Sequence, residues 1–151
     1  MIYQPRYARR IFVDTSAYFA LANRRDASHQ GVSDIMQQLV AERRHLFTTN
    51  FVLAELHALL LTRLNRTLAA QVLTEIDASK TTTIVRVSAR DEQRARAIIT
   101  RYTDKDFSLT DATSFAVMER LSISHAFTLD HNFAQYGWTM ISPSVLPDAH
   151  S

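Results

Sequence analysis

The chain has 151 residues, 46% hydrophobic and 21% charged, a balance that suits one globular domain over residues 1–151 with a sizeable core. No apolar run approaches the roughly 18 residues of a bilayer span, and the N-terminal MIYQPRYARR lacks the apolar centre of a signal peptide, so a soluble cytoplasmic protein with no membrane partner is expected. With no cysteine, disulfides, thiolate metal sites and cysteine nucleophiles are excluded, and any metal must sit on oxygen or imidazole.

In chain order, RIFVD at 10–14 reads as a short buried strand running straight into an Ala-rich helix. Residues 27–44 form an amphipathic helix with Val32, Ile35, Met36, Leu39 and Val40 on one side. HLFTT at 45–49 is a second strand, and Asn50 is placed to cap the helix through Leu64. A helix over 67–79 precedes the third strand, TTIVRV at 82–87. The helix at 89–102 sets Ala95, Ile98, Ile99 and Tyr102 opposite Arg90, Arg94 and Arg101, which read as a solvated face. DKDF is a loop before the helix that opens at Ser108, whose apolar stripe is Ala112, Phe115, Ala116 and Leu121. ISHAFTLD at 123–130 gives a fourth strand and WTMI at 138–141 a weak fifth. Strands alternating with helices predict an α/β fold, a mostly parallel sheet of four to five strands between helices, with its site at the strands' carboxyl ends. Gly31 and Gly137 are the only glycines, so no glycine-rich phosphate loop exists.

Fifteen arginines stand against two lysines at a net charge of only +2. Arginine's planar fork suits phosphate, which leans toward a nucleic acid or an acidic partner, although compositional bias explains the count equally well.

Four acids fall where a site should be. Asp14 closes the first strand and Asp130 the fourth, and each could be a ligand at the carboxyl edge or the cap of the next helix. Glu55 has Phe51, Val52, Ala58 and Leu59 as helical neighbours, so its carboxylate must snorkel, be protonated, or meet an arginine or a cation. Asp111 lies three residues after Ser108, a capping-box spacing, yet an acid in a first turn can also serve a ligand. Carboxylates drawn together would repel by roughly 4 kcal/mol per pair at about 4 Å and an effective dielectric near 20. A divalent cation would convert that repulsion into binding, and an all-oxygen set suits Mg²⁺ or Mn²⁺ rather than zinc. Such a set serves metal-assisted phosphodiester hydrolysis.

Four segments, IFVDTSAYFAL, TTNFVLAEL, DFSLTDATSFAVM and AFTLDHNF, resemble in order the four motifs of the PIN domain, and in particular its VapC-type toxins, over about residues 10–141. The resemblance implies a PIN-like three-layer sandwich, a Mg²⁺ or Mn²⁺ site, endoribonuclease activity and a cognate antitoxin that blocks the site. By position it makes Asp14 and Asp111 the most direct metal ligands. Glu55 and Asp130 would complete the catalytic acids, Thr15 or Ser16 would supply a hydroxyl to substrate or ligands, and Asp106 is a further neighbour. No histidine takes a catalytic role: His29 and His57 read as surface or core-edge residues and His131 as part of a short loop-helix. Arg6, Arg9 and Arg10 could contact RNA or a second subunit, but disorder or local packing is the simpler reading. The run Leu59, Leu60, Leu61 offers more apolar surface than one sheet face needs, and a homodimer is expected. The competing functions are a housekeeping RNA-processing PIN nuclease, a PIN-fold binding module without metal, and a phosphatase with an aspartyl nucleophile. The last wants a second acid two residues after Asp14, where Ser16 stands.

Overall fold

The computed structural model describes residues 8–143, so Arg6 and the segment around it lie outside the described residues. The chain runs β1 (Arg10–Val13), α1 (Thr15–Ala22), α2 (His29–Ala41), β2 (His45–Thr49), α3 (Asn50–Arg63), α4 (Arg66–Ala78), β3 (Thr82–Val85), α5 (Ala89–Arg101), α6 (Leu109–Leu121), β4 (His125–Phe127), α7 (Asn132–Tyr136) and β5 (Thr139–Ile141). The strands pair in the order β3-β2-β1-β4-β5, and every pairing is parallel. With right-handed crossovers, β1→β2→β3 carries α1 to α4 over one face, and the return to β4 and β5 carries α5 to α7 over the other.

That order reverses between β1 and β4, which makes the carboxyl end of this strand pair the topological switch point, where open α/β sheets form their crevice. The register sets Val13 beside Phe127, and the Asp14 amide donates to the Phe127 carbonyl at 3.0 Å. The residues that leave the two strands, Asp14 and Thr128 onward, therefore start from neighbouring points.

Buried Ile11, Phe12 and Val13 of β1 and Ala126 and Phe127 of β4 make the centre of the core. From there the packing extends through Val32, Ile35 and Leu39 of α2, Val52, Leu56 and Leu60 of α3, and Ala95 and Ile98 of α5. Four local readings change. The cap of α3 is Thr49, whose hydroxyl accepts from the Val52 amide at 3.1 Å; Asn50 instead reaches across to accept from the Val87 amide at 2.8 Å. Helix α6 is not amphipathic: residues 111–118 are all buried, because the helix is packed against α5, α3 and α7 at once. Arg94 is not simply solvated, since its guanidinium meets Glu119 at 3.3 Å and lies 3.4 Å from the Tyr136 hydroxyl. On α3 the buried line is Val52, Leu56 and Leu60, and Glu55 is exposed.

The other basic and apolar candidates keep ordinary places. Arg90 and Arg101 are exposed, and Arg10 donates to the Ser122 carbonyl at 3.3 Å. In the leucine run, Leu60 is buried and Leu61 is 45% exposed. No helix among the described residues is long and apolar enough to cross a membrane.

Candidate active site

Asp14 ends β1 and begins α1. Its backbone is extended, and its Oδ2 accepts the Ser16 amide at 3.4 Å, so it is the N-cap of α1 as well as a candidate ligand. The same oxygen accepts the hydroxyls of Ser16 and Thr128, each at 2.9 Å, while Oδ1 receives none of these three bonds. Both hydroxyls also accept from amides at the exit of β4: Ser16 Oγ from Leu129 across the crevice at 2.8 Å, and Thr128 Oγ1 from Asp130 of its own segment at 2.9 Å. Two short polar side chains thus join the start of α1 to the exit of β4, each both donating and accepting, and a buried network satisfied in this way makes its surroundings rigid.

Asp111 comes from the third position of α6. Ser108 caps the helix, accepting from the Asp111 amide at 3.0 Å, and Asp111 Oδ2 accepts in return from the Ser108 amide at 3.1 Å. Asp111 Oδ2 also accepts from Asn132 Nδ2 at 3.2 Å, and Oδ1 takes neither bond. Asp130 accepts from the Asn132 amide through Oδ1 at 2.9 Å. Each of the three acids is therefore held through one oxygen.

The electrostatics link them in a row. Burial pushes the Asp14 carboxyl up to about 6, with Asp111 repelling it further and the Ser16 and Thr128 hydroxyls opposing. Burial also raises Asp111, whose repulsive neighbour is Asp130, while Ser108 and Asn132 pull the other way. Among the described residues no lysine or arginine is paired with any of the three. Asp14 is 4% exposed and Asp111 8%, so both would carry charge in a poorly hydrated place with no protein cation to offset it.

A hard dication fits these residues. The donors are carboxylate oxygens, one oxygen of each acid is spare of the bonds above, and the buried Thr15 hydroxyl beside Asp14 has no hydrogen-bond partner. No three Asp, Glu or His side chains among the described residues are close enough to enclose an ion.

Glu55 and Asp106 are exposed, and among the described residues neither is hydrogen-bonded or ion-paired to the trio. His131 is the exposed residue before α7, His57 is half-buried, and the half-buried His29 ring lies 2.9 Å from the Ala20 carbonyl. Two clefts of about 360 Å³ open elsewhere, one between α1, α2 and α4 and one between α3, α4 and β3, and no acid of the trio lines either. Chemistry rather than cleft size marks the site. Sequence reasoning missed Thr128 and Asn132; the only signal for them was their place two residues either side of Asp130.

Comparison with known proteins gives the same frame. VapC20 of Mycobacterium tuberculosis, a 23S rRNA-specific endonuclease, is 33% identical over 136 residues that cover 88% of this chain and 98% of the relative. The crystal structure of VapC20, a sarcin-ricin loop cleaving toxin, superposes with a TM-score of 0.81 at 32% identity, over 88% of this chain and 99% of that one. FitAcB of Neisseria gonorrhoeae is similar in fold, with a TM-score of 0.66 at 17% identity over 90% of this chain and 99% of its own. So is VapBC2 of Rickettsia felis, at 0.65 and 13% over 87% and 97%. The PIN domain model matches residues 11–138, and the chain belongs to the PIN domain family.

Proposed function

We propose that the protein is a Mg²⁺- or Mn²⁺-dependent endoribonuclease and the toxin of a VapBC-type pair. The observation that carries this reading is the acid trio at the switch point, two of its members buried and, among the described residues, paired with no lysine or arginine, in a chain 33% identical to an rRNA endonuclease over 88% of its length. Asp14 and Asp111 would hold the cation, with Asp130 beside them, and Glu55 of α3 would complete the catalytic acids. When bound, the cation supplies a water of lowered pKa and neutralises charge that develops on the phosphate.

The protein's own groups do the positioning. Ser16 and Thr128 hold Asp14 through Oδ2, and the Ser108 amide and Asn132 hold Asp111 through Oδ2, so ligand oxygens are aimed before the ion arrives. With its carboxyl near 6, Asp14 is mostly ionised at pH 7, where it can bind a cation without first losing a proton. The Thr15 hydroxyl, next in sequence to Asp14 and without a partner, would serve the substrate or the ligands. Asp106, in the loop before α6, would lie at the margin.

The partners that follow are RNA, a cognate antitoxin and a second copy of the chain. The first RNA to try is the sarcin-ricin loop of 23S rRNA, because that is the substrate named for VapC20. Purified protein is expected to cut it with Mg²⁺ or Mn²⁺ and not with EDTA. Asp14→Asn and Asp111→Asn should stop cleavage while the protein stays folded. Unchanged cutting by those folded variants would overturn the reading.

A further inference from the structure

Asn132 touches two of the three acids at once. Its side-chain amide donates to Asp111 Oδ2 at 3.2 Å, and its backbone amide donates to Asp130 Oδ1 at 2.9 Å. An ionised carboxylate can only accept, so Nδ2 and not Oδ1 must face Asp111. The two acids come from separate elements, the first turn of α6 and the exit of β4, and like charges there push each other apart. Asn132 is the residue that bridges them.

Its own position is fixed by its neighbour. Phe133 is fully buried, with its ring 6.3 Å from Phe12 of β1 and edge-on to Phe115 of α6 at 4.9 Å. The start of α7 is therefore wedged between the central strand and the helix that bears Asp111. A side chain so anchored can hold a carboxylate's orientation at little further entropy cost.

We propose that Asn132 is a positioning residue of this site, setting the mutual placement of Asp111 and Asp130 so that their remaining oxygens meet one divalent cation. This rests on the metal-dependent reading above. Outer partners that orient ligating carboxylates are worth roughly 10- to 100-fold in metal affinity. Removing the Asn132 amide should act on that scale through Asp111, although Asn132 need not touch the ion.

The test is calorimetric titration of the full chain with MnCl₂, beside melting curves and RNA cleavage at graded Mn²⁺. Asn132→Leu keeps the size and the backbone amide but loses the side-chain donor. It is expected to raise the Mn²⁺ Kd by about 10- to 100-fold and to raise the Mn²⁺ needed for half-maximal cleavage, with cleavage recovering at saturating ion. Gln135→Ala, at an exposed position on the same short helix, should leave the Kd unchanged. Should Asn132→Leu not fold, Asn132→Ser, too short to reach Asp111, is read in its place with the same expectation. A folded variant that binds Mn²⁺ within about two-fold of the parent overturns the proposal, because a merely structural residue would shift melting and spare the Kd. No Mn²⁺ binding by the parent at millimolar ion overturns it as well. A parent that binds Mn²⁺ and cuts no RNA, with binding weakened in Asn132→Leu, sinks the nuclease reading and leaves the positioning role standing.

Discussion

Helices α5 and α6 begin with the same device and use it differently. Ser88 and Asp91 open α5, Ser108 and Asp111 open α6, and in each box the serine hydroxyl accepts from the acid's amide while the acid accepts from the serine's amide, all at 3.0 to 3.1 Å. Both acids are buried. At α5 a guanidinium completes the site: Arg120 donates Nε to Asp91 Oδ1 at 2.9 Å and a terminal nitrogen to Oδ2 at 2.8 Å. Burial alone would push Asp91 up, but the Arg120 and Ser88 bonds outweigh it and hold the carboxyl below its usual range. At α6 the neighbours are Asn132 and two further acids, and the carboxyl is held above its usual range. A capping box accounts for two hydrogen bonds of such an acid; what meets the rest of the carboxylate sets the two apart.

The largest expected difference between the two boxes is in catalysis. Asp111→Asn should lower the RNA cleavage rate by about 10³-fold or more, the scale on which loss of one member of a catalytic set acts, while Asp91→Asn should cut normally at temperatures where it is folded. Equal losses from the two would break the comparison.

The pH dependence comes next. Asp14 titrates near 6 when folded and near the ordinary aspartate value of 3.8 when unfolded, so the folded state binds its proton more tightly. Its contribution to stability is therefore full below about pH 4 and is lost as pH rises through about 6, by up to about 3 kcal/mol at roughly 1.36 kcal/mol per unit. Asp91 has the opposite sign: its folded pKa is lowered, so its contribution is present above about pH 4 and is lost as pH falls through the folded value. Denaturant melts of metal-free protein between about pH 4 and 7 should show the Asp14 fall, Asp14→Asn should flatten it, and saturating Mn²⁺ should offset it.

Stability separates the boxes in the other direction. Asp91→Asn breaks a charged, two-pronged bond to an arginine whose side chain is 44% exposed and can turn to water. The expected cost is about 1 to 3 kcal/mol. Asp111→Asn removes a repelled charge and should leave the metal-free protein at least as stable as its parent. The smallest effect is that of the serines: Ser88→Ala and Ser108→Ala should each cost about 1 kcal/mol as lost caps. Only Ser108→Ala should also weaken Mn²⁺ binding, which titration of the two variants side by side would reveal.

Much of this was legible from residues. All five strands lie within the segments read as strands, because short β-branched and aromatic runs flanked by helical patterns have few other readings. Asp14 follows β1 directly and Asp111 falls in the first turn of α6 as read, whereas Asp130, read as closing the fourth strand, lies three residues beyond the end of β4. The errors share a cause. Glu55 was set in an apolar stripe because four of its helical neighbours are apolar, yet the buried line on α3 is the narrower one through Val52, Leu56 and Leu60. Asn50 looks like a cap, but Thr49 one residue earlier has the extended backbone a cap needs, and Asn50 is drawn away by the Val87 amide. Ser88-x-x-Asp91 carries the same spacing as Ser108-x-x-Asp111, and nothing local says that Arg120, 29 residues on, will answer the first acid and not the second. Thr128 and Asn132 are single polar residues whose contacts are distant in sequence: Thr128 meets Asp14 at the end of β1, and Asn132 meets Asp111 of α6.

The most direct measurement is a Mn²⁺ titration of three proteins, the parent, Asp91→Asn and Asp111→Asn, each kept well below its melting temperature. The account predicts that the parent and Asp91→Asn bind with the same affinity and that Asp111→Asn loses binding by about 10-fold or more. Binding by Asp111→Asn as tight as the parent's would show that its carboxylate is only a cap, and would contradict the account.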